Sequence, residues 1–539
     1  MAPRPRCRAL LPLLRQPYST RPPSSSGVPL PPLLPPSPPP SSSSSSSSSH
    51  LPTTLSGWVR SVRKQKNVSF VVLSDQTRLG GTQVVVPKGL EHGIAVGSSA
   101  TLDGEWVKSP KPGRPDEFRV SHVSWIGPSD AETYPIPNTK QGIPAPILRH
   151  NAHLRPRTDQ MAAVLRTRSE MSWAMADHFR NQGFVKIEAP VITSSDCEGG
   201  GEVFKVVEAT PPPPPAPERT ESEPTSSISE PTQTSPSSPR STRPAPPSRY
   251  LTVSSQLHLE AIASSHPRVY ALSPCFRAER SDTARHLQEF WMLEAELAFL
   301  DPDPTRALEQ VMSVCEDVVR AIAHHVQAMP EFDYFVDKAS PHVDLANRTR
   351  QFVEPRPYAR MTYTDAVRLL ADHARVCPDA FVYKPEWGSA LQTEHEKYLA
   401  EDLVRGPVFV TDYPTRLKPF YMLENENEAP RTGDEEGDKS RSSSSTTACF
   451  DLLVPDLGEL AGGSLRTHSL ESLSTRIDRD ANLSRKRAEY EWYVDLRRYG
   501  TTRHGGFGIG WERLVALLTG VQNVRECIAF PRAGEGSRF

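Results

Sequence analysis

Several signatures of common protein classes are missing from this sequence of 539 residues. Its seven cysteines lie far apart and form no C-x-x-C pair, which argues against a zinc site and against a disulfide framework. No apolar run approaches the roughly 18 residues that span a bilayer, so we expect no membrane attachment. A formal net charge of −2 gives no overall attraction to nucleic acid, and any such contact must come from a local basic patch.

The N-terminal segment contains no acidic residue before Asp75. An Arg- and Ser-rich start without acids is typical of an organelle presequence. It predicts a mitochondrial presequence with a disordered Ser/Pro tract over residues 1–50, and hence a location in the mitochondrial matrix, with additional cytoplasmic protein left open. The alternative is simple disorder, because Pro3, Pro5 and Pro12 weaken an amphipathic helix.

Residues 51–130 carry short β-rich runs that are separated by turn signals. The runs are LSGWVRSV, VSFVVLSD, TQVVVP, SATLDGEWV and FRVSHVSWIG. Five short strands in such a segment predict a small closed barrel of the oligonucleotide-binding (OB) type. Such barrels present aromatic side chains for base stacking beside a basic rim. Phe70 suits that role, and the alternative is that it is a core residue.

The rest of the chain has mixed α/β character after a Pro-rich linker over residues 131–157. Apolar residues recur at helical spacing over 159–182 and 304–329, and they predict two helices with buried faces. The catalytic domain is predicted to span residues 158–539. Two tracts inside it, 210–248 and 425–447, are poor in apolar residues and are predicted to be disordered insertions, because they cannot bury enough surface to offset chain entropy.

One hairpin, CFRAERSDTARHLQEFWMLEAE at residues 275–296, concentrates both signs of charge between two strand-like runs. Alternation along the returning strand places Phe290 and two glutamates on one face. A flat ring, a guanidinium and a carboxylate acceptor together suit a nucleotide. We therefore predict that Phe290 stacks on a base, that Arg277 binds a phosphate and that Glu279 accepts a hydrogen bond from an exocyclic amine.

A second motif, RHGGFGIGWERLVALLTG, lies near the C-terminus. Gly506, Gly508 and Gly510 alternate along one strand face and predict a bare surface against which something flat can lie. A helix is predicted over 511–519, and Arg513 projects from its first turn, where the helix N-terminus attracts a phosphate. The spacing matches neither G-x-G-x-x-G nor G-x-x-x-x-G-K-[ST], which excludes the Rossmann and P-loop classes.

These two segments resemble motifs 2 and 3 of the class II aminoacyl-tRNA synthetases, and residues 183–206 resemble motif 1, with Pro190 as the motif proline. The barrel followed by this text resembles the aspartyl, asparaginyl and lysyl subgroup. The resemblance implies an α+β fold, in which a five-stranded OB-type β-barrel binds the anticodon and a class II antiparallel-sheet catalytic domain is flanked by helices. It also implies a homodimer, with ATP and Mg²⁺ as cofactors.

The resemblance implies roles for individual positions. Those implied for ATP are Arg277, Glu279, Arg285, His286, Leu287, Phe290, Glu459, Gly510 and Arg513. Arg277 and Arg513 are implied as catalytic, and Asp451 and Glu459 as ligands of Mg²⁺, which prefers hard oxygen donors. Those implied for the amino acid are Glu198, Ser255, Gln256, Leu259, Arg277 and Arg466. In the barrel, Phe70 and Gln83 match positions that contact the middle anticodon base.

The implied amino acid depends on LTVSSQLHLE at 251–260. Leu259 stands where aspartyl enzymes carry a lysine that pairs with the substrate carboxylate, and the stretch resembles asparaginyl enzymes. An aspartate carboxylate buried without that partner would cost several kcal/mol, whereas Arg466 can donate to a neutral amide oxygen. The resemblance thus implies asparagine and tRNA-Asn as substrates. A lysine that reached this cavity from elsewhere in the chain would overturn the choice of asparagine.

Three alternatives remain open. The nearest is an aspartyl enzyme, including one that charges both tRNAs, because SLRTH after the paired glycines is somewhat aspartyl-like. The second is a catalytically inactive paralogue that binds RNA, which would have no need of carboxylates for magnesium. The third is an amide-forming ligase on the same fold, which usually lacks the N-terminal barrel.

Overall fold

The structure is a computed structural model, and it describes residues 54–76, 79–108, 117–136, 142–194, 203–207, 249–278, 283–339, 343–426 and 445–532. The predicted presequence, the first predicted insertion and most of the second lie outside the described residues. The predicted site residues Glu198 and Glu279 lie outside them as well. No helix within these ranges has both the length and the hydropathy that crossing a bilayer requires.

The first described part of the chain is a closed β-barrel. Its strands are β1 (Thr54–Lys64), β2 (Val68–Ser74), β3 (Thr82–Pro87), β4 (Ser99–Val107) and β5 (Glu117–Gly127). They are hydrogen-bonded in the order β1-β2-β3-β5-β4. Alternate residues such as Val71, Val84 and Phe118 point inward and form the barrel core, as the two-residue period of a strand requires. The predicted five-stranded barrel is confirmed.

The segment between the barrel and the catalytic domain is packed against the C-terminal part of the chain. It contains helix α1 (Ala145–His150) and a short 3₁₀ turn. The side chain of Arg155 is buried and donates to three backbone carbonyls in 525–529. These hydrogen bonds compensate for the burial of the guanidinium. Part of the predicted linker 131–157 therefore belongs to the folded core.

The catalytic domain is built on a large sheet. Its strands and those of a small separate sheet are β6 (Val185–Lys186), β7 (Ile192–Thr193), β8 (Lys205–Val206), β9 (Arg249–Leu251), β10 (Arg268–Phe276), β11 (Glu289–Ala298), β12 (Ala359–Thr362), β13 (Val408–Thr411), β14 (Cys449–Val454), β15 (Gly458–Leu465) and β16 (His504–Gly510). In the described residues the large sheet has the order β12-β13-β14-β15-β16-β11-β10-β6, and the small sheet is β7-β9-β8. Neighbours in the large sheet are antiparallel except at its two edges, β12–β13 and β10–β6. The predicted antiparallel catalytic sheet is confirmed.

Helices flank this sheet. They are α2 (Asp159–Asn181), α3 (Gln256–Ala263), α4 (Pro304–Gln327), α5 (Pro330–Lys338), α6 (Leu345–Val353), α7 (Tyr363–Val376), α8 (Thr393–Lys397), α9 (Leu470–Arg479), α10 (Ala481–Arg485), α11 (Arg487–Arg498) and α12 (Trp511–Thr519). The predicted helices at 159–182 and 304–329 are α2 and α4, which begin at the side-chain caps Thr158 and Asp303, as capping chemistry favours. With α12, they bury the largest apolar core against one face of the sheet, which leaves the other face for a site.

The packed structure reaches further into the second predicted insertion than the composition indicates. Thr447 is fully buried, and its backbone N–H donates to the carbonyl of Tyr413. The side-chain amide of Asn425 donates to Thr446 at 2.9 Å. The prediction of disorder over 425–447 was therefore wrong at both ends, because these polar residues satisfy one another and the neighbouring backbone.

Candidate active site

A cavity of about 300 Å³ lies on the face of the sheet opposite the large core. Strands β11, β15 and β16 form its floor, and α3, the residues after β10 and the segment 417–422 form its walls. Predicted site residues from distant parts of the chain line this cavity together: Gln256, Leu259, Arg277, Asp451, Glu459 and Arg466. The antiparallel pairing of the central strands is what brings them into one place.

Two of the predicted nucleotide residues, Arg277 and Glu459, line one end of the cavity, and Phe290, Gly510 and Arg513 lie beside that end without being among its described lining residues. The guanidinium of Arg277 lies 5.3 Å from the centre of the Phe290 ring. Strands β11 and β16 pair in a register that places Phe290 and Arg513 at the same end of the two strands. Arg513 packs over Gly510, where an added Cβ would lie 3.3 Å from its Cδ. Its guanidinium also donates to the carbonyl of Glu459 at 3.1 Å. Arg277 with Phe290 on one side and Arg513 with Glu459 on the other therefore lie at the same end of the sheet.

The predicted loop residues Arg285, His286 and Leu287 stand beside the cavity and are not among its described lining residues. Arg285 donates to the hydroxyl of Thr393 at 3.3 Å and to the carbonyl of Asp456 at 3.4 Å. Burial lowers the pKa of Arg285, and Leu287 is buried. This loop is therefore anchored to the end of the sheet where the predicted nucleotide residues gather.

Ser255 lies behind the cavity wall, whereas direct contact with the amino acid was predicted for it. It is fully buried, its N–H donates to a carboxylate oxygen of Glu294 at 2.8 Å, and its hydroxyl lies 2.7 Å from that of Ser273. Glu294 does line the cavity. Burial raises the pKa of Glu294, and hydrogen bonds from Ser254 and Ser255 oppose that rise. Ser255 therefore positions Glu294, and the neighbouring Ser254 is the serine that faces the cavity.

Glycines of β16 make room for side chains of the neighbouring strand. An added Cβ on Gly506 would lie 2.1 Å from a carboxylate oxygen of Glu296, and one on Gly508 would lie 3.1 Å from the sulfur of Met292. The prediction that this strand face is bare was wrong at Gly506, whereas Gly508 lines the cavity beside Met292. Cross-strand neighbours on one face lie only about 5 Å apart, so the carboxylate of Glu296 covers Gly506 and faces the cavity.

Three carboxylates gather near the nucleotide end, one of which the sequence analysis missed. Asp451 and Glu459 line the cavity, and Glu396 of α8 accepts a hydrogen bond from the backbone N–H of Glu459 at 3.4 Å. Burial and repulsion by Glu459 raise the pKa of Glu396 to about 7. The same two causes raise the pKa of Asp451, against the attraction of Lys418. Within the described ranges, no three potential ligands form a preformed metal site.

A lysine does reach the cavity, from a segment that carried no prediction. Lys418 lines the wall, and its ammonium donates to the two carboxylate oxygens of Asp451 at 2.9 and 3.1 Å. Burial lowers the pKa of Lys418, but the attraction of Asp451 outweighs burial and raises it above its ordinary value. The ammonium is therefore charged, and Asp451 matches that charge. The lysine that was expected to overturn the choice of asparagine is thus present, but it has a carboxylate partner within the protein.

Arg466 carries a buried positive charge at the other end of the cavity. Its guanidinium donates to both carboxylate oxygens of Glu296, at 3.2 and 2.9 Å. Behind it, Glu260 accepts from the hydroxyl of Tyr493 at 2.6 Å and from Arg497 at 3.0 Å. Burial alone would lower the pKa of Arg466, but the attraction of Glu296 and Glu260 outweighs burial and raises that pKa above its ordinary value. The network thus runs from Glu296 through Arg466 and Glu260 to Arg497, so that carboxylates and guanidiniums alternate.

Phe70 and Gln83 lie together on the outer face of the barrel. Phe70 pairs with Arg63 and Val85 of the neighbouring strands, and Gln83 lies two positions from Val85 on the same face. The guanidinium of Arg63 lies 5.0 Å from the centre of the Phe70 ring. Both side chains are half-buried and stand on the face opposite the barrel core. The structure therefore places Phe70 outside the barrel core. The alternative prediction, that Phe70 is a core residue, was wrong.

The family with the description tRNA synthetases class II (D, K and N) matches residues 146–534. Fold, cavity and sequence agree, and the chain belongs to this family. Several similar proteins are asparagine–tRNA ligases. An asparagine–tRNA ligase of Oleidesulfovibrio alaskensis is 38% identical over 495 residues, covering 90% of this chain and 96% of the relative. An asparaginyl-tRNA synthetase of Mus musculus is 37% identical over 481 residues, covering 89% of each chain.

Solved structures give the same result. The asparaginyl-tRNA synthetase of Pyrococcus horikoshii, complexed with asparaginyl-adenylate, has a TM-score of 0.68 at 27% identity and covers 89% of this chain and 95% of its own. That of Entamoeba histolytica, in complex with asparaginyl-adenylate, has a TM-score of 0.68 at 26% identity, with 90% and 97% covered.

Proposed function

We propose that this protein attaches asparagine to tRNA-Asn in two steps that consume ATP. First, a carboxylate oxygen of asparagine attacks the α-phosphorus of ATP, the bond to the β-phosphate oxygen breaks, and pyrophosphate leaves asparaginyl-adenylate. Second, a ribose hydroxyl at the 3′ end of the tRNA attacks the acyl carbon, and AMP leaves. The observation that carries this proposal is the single cavity that joins Gln256, Leu259, Arg277 and Arg466 to the carboxylates of Asp451 and Glu459.

ATP binds at the end of the cavity where Arg277, Phe290 and Arg513 meet. Phe290 stacks on the adenine, Arg513 contacts the nucleotide from the first turn of α12, and Arg277 contacts the α-phosphate together with the substrate carboxylate. The resemblance assigns Arg285 to a loop over the ATP, and it assigns the adenine amine to Glu279. No side chain acts as a nucleophile. Positioning and neutralisation of developing charge supply the rate, as in phosphoryl transfer generally.

Mg²⁺ fits the donor set of the cavity. Asp451 and Glu459 would hold it, since both present hard oxygen donors and their mutual repulsion would be relieved by a divalent cation. Mg²⁺ in nucleotide sites uses one or two carboxylates together with phosphate oxygens and does not need a full protein cage. The ion would neutralise negative charge on the phosphates.

The amino acid binds at the end that holds Gln256, Leu259 and Arg466. The amide nitrogen of Gln256 donates to Glu260 at 3.0 Å, so its amide oxygen is the atom left to accept from the α-ammonium of the substrate. The carboxylate of Glu198 is the second partner of that ammonium. Arg466 donates to the side-chain amide oxygen of asparagine, and Leu259 offers no charge.

Aspartate is the second candidate substrate, because Lys418 lines the cavity. The contact of its ammonium with Asp451 at 2.9 Å satisfies that charge inside the protein. An aspartate side chain would therefore have to compete with Asp451 for the ammonium. Charging of a tRNA-Asn transcript with labelled asparagine, in parallel with a tRNA-Asp transcript and labelled aspartate, tests the proposal. Charging only of tRNA-Asp with aspartate would overturn it.

We propose that the outer face of the barrel binds the anticodon through Phe70 and Gln83. A half-buried aromatic ring on an outer strand face, beside an arginine, suits base stacking along a nucleic-acid backbone. The guanidinium of Arg63 over the Phe70 ring supplies that combination. The amide nitrogen of Gln83 donates to Glu117 at 2.7 Å, and its amide oxygen is left to accept from a base edge. This surface cannot distinguish tRNA-Asn from tRNA-Asp if both present the same middle base.

We also propose that the protein is a homodimer and that α2 and the short strands after it form the interface. Trp173 of α2 is 65% exposed, Ile192 of β7 is 51% exposed, and Val207 after β8 is 74% exposed. Exposed large apolar side chains of this kind mark interaction surfaces when they recur in one region. A symmetric contact between two copies would cover them.

We propose that the protein is imported into mitochondria, on the basis of the Arg-rich, acid-free segment before Asp75. A presequence of this composition is positively charged and is read by the import machinery. Residues 1–53 fused to a fluorescent reporter should direct it to mitochondria, and a diffuse signal would contradict the proposal.

A further inference from the structure

The turn between β14 and β15 joins the two strands that carry Asp451 and Glu459. Its backbone is left-handed at Asp456, with a φ of 64°, and at Gly458, with a φ of 83°. Residues with a side chain adopt such a φ rarely, so the surrounding structure must hold Asp456 in place. The guanidinium of Arg348 contributes through its contact with Asp456 at 2.6 Å. The position of Glu459 therefore depends on the elements that pack around this turn.

Two carboxylates from one segment bind the backbone of the turn. Glu396 of α8 accepts from the N–H of Glu459 at 3.4 Å, and Glu401 accepts from the N–H of Asp456 at 2.7 Å. A π-helical turn over Tyr398–Leu403 follows α8 directly. Residues five apart point about 140° away from each other on an α-helix, whereas the wider π-helix pairs residue i with residue i+5. The π-helical turn therefore lets both carboxylates reach the same part of the sheet.

The same segment contacts the loop that carries Arg285. The guanidinium of Arg285 donates to the hydroxyl of Thr393 on α8 at 3.3 Å and to the carbonyl of Asp456 at 3.4 Å. A Cβ added to Gly458 would lie 2.5 Å from Oε2 of Glu396 and 3.5 Å from Nη1 of Arg285. The carboxylate and the guanidinium therefore flank one point, and there is room for both because residue 458 has no side chain.

The negative charge of Glu396 is unfavourable in itself. Burial and repulsion by Glu459 both disfavour the ionised carboxylate, and Asp451 adds to the repulsion. A neutral glutamine would accept from the N–H of Glu459 equally well, because its amide offers a carbonyl oxygen. The hydrogen bond alone therefore does not explain a carboxylate at this position. The guanidinium of Arg285 favours the charged form and gives the carboxylate a second partner.

We propose that Glu396 is a positioning residue for ATP, which orients the guanidinium of Arg285 toward the triphosphate while it fixes the backbone of Glu459. An arginine that is already held in place loses less side-chain freedom when the nucleotide binds, and this raises the affinity. Glu396 acts through these two residues. The inference rests on the proposed function, because it takes Arg285 and Glu459 as contacts of ATP and Mg²⁺.

The test measures the KM for ATP in asparagine-dependent pyrophosphate exchange by the full chain. The assay is run at about pH 8, above the pKa of Glu396 of about 7, so that the carboxylate is ionised. Glu396→Gln removes the charge and keeps an acceptor for the N–H of Glu459. The KM for ATP should rise about tenfold (about 1.4 kcal/mol), while the KM for asparagine stays unchanged.

The melting temperature separates this role from a purely structural one. In Glu396→Gln it should stay the same or rise, because an unfavourable buried charge is removed. A lower melting temperature with an unchanged KM for ATP would show that Glu396 only stabilises the fold, and the proposal would then be wrong. A KM for ATP that falls would also contradict it, because the carboxylate would then merely repel the phosphates.

Glu394 on the same helix gives the matched control. Its carboxylate also accepts from backbone N–H groups, those of Val382 and Tyr383 at 3.0 and 2.7 Å, in a segment outside the described lining of the cavity. Glu394→Gln should therefore leave the KM for ATP unchanged. Equal increases in both variants would indicate a general disturbance of α8 and would refute a specific role for Glu396.

A double-mutant cycle tests the link between Glu396 and Arg285. Arg285→Ala should itself raise the KM for ATP. Adding Glu396→Gln to it should change the KM by less than about twofold, because the effects of residues that act together are not additive. Independent, additive effects of the two substitutions would contradict the proposed link.

Glu396→Asp covers the case in which Glu396→Gln does not fold. It keeps the charge but withdraws the carboxylate by one methylene group, so the KM for ATP should rise here too, and a folded Glu396→Asp protein with the wild-type KM would overturn the proposal. Absence of asparagine-dependent exchange in the wild type would refute the proposed function instead. The rise in melting temperature on addition of ATP and Mg²⁺ then still tests the inference, since it should be smaller in either Glu396 variant than in the wild type, and an equal rise would contradict it.

Discussion

The guanidinium of Arg277, which lines the cavity, lies 5.3 Å from the centre of the Phe290 ring. Arg277 follows β10, and Phe290 is the first of the alternate residues of β11 that include Met292 and Glu294 on the cavity side. The pairing of β10 with β11 therefore sets the separation of Arg277 and Phe290. This places a charge for the α-phosphate beside a surface for the base, which is the arrangement that adenylate formation needs.

Replacement of Arg277 by alanine should reduce ATP–pyrophosphate exchange by a factor on the order of 10²–10³, by analogy with the loss of one pre-organised donor to a transition state. Arg368→Ala is the control, since that side chain is 61% exposed and pairs only with Asp365 within α7 among the contacts described. Near-wild-type exchange in Arg277→Ala would refute the assignment.

Replacement of Phe70 by alanine should weaken tRNA binding without affecting amino-acid activation. Loss of one base–aromatic stack is worth about 1–3 kcal/mol, so the KM for tRNA should rise about 5- to 150-fold. Trp125→Ala on β5, where the indole is 63% exposed, is the matched control. A loss of pyrophosphate exchange in Phe70→Ala would show instead that the ring stabilises the fold.

Replacement of Trp173 by glutamate should dissociate the proposed dimer, because a charge would be buried in an apolar contact. Light scattering should then report a monomer, with lower aminoacylation per chain. Tyr499→Glu changes another exposed aromatic residue, 80% exposed at the end of α11, and should leave the mass unchanged. A wild-type protein that is monomeric at micromolar concentration would rule out the dimer.

His258 should make stability depend on pH. Burial lowers its pKa, its ring stacks on Trp492, and its Nδ1 is buried without a hydrogen bond. The folded state therefore keeps the ring neutral while the unfolded state binds a proton, and stability is lost as pH falls below the unfolded pKa of about 6.5.

The measurement for His258 is the free energy of unfolding at about pH 7.5 and about pH 5, on either side of the ordinary histidine pKa. The loss between these values should be smaller in His258→Gln than in the wild type. The exposed His324 of α4 gives the control, since His324→Gln should leave the loss nearly unchanged. Equal losses in all three proteins would contradict the role given to burial.

Local sequence patterns were sufficient to predict the helices and strands, but they were insufficient to predict some residues of the site. The strands of the barrel and helix α4 were predicted because alternation, helical spacing and the cap at Asp303 act within a few residues. Glu396 and Lys418 were missed because their importance comes from contacts with Glu459 and Asp451, which lie far away in the chain. A charged residue on a short helix or in a loop gives no local signal of such a partner.

The glycines of β16 show the same limit in another form. Their spacing predicted a bare face, and the side chain that fills it at Gly506 could not be identified from the sequence. Gly506 is filled by Glu296, a cross-strand neighbour that becomes visible only once the register of β11 and β16 is known.

ATP–pyrophosphate exchange by the wild-type protein, with asparagine and aspartate in parallel, tests the central claim most directly. Leu259 in the cavity wall and the pairing of Lys418 with Asp451 predict exchange that depends on asparagine, with aspartate at least about tenfold less effective (about 1.4 kcal/mol). Exchange that is equal with the two amino acids, or faster with aspartate, would contradict the account.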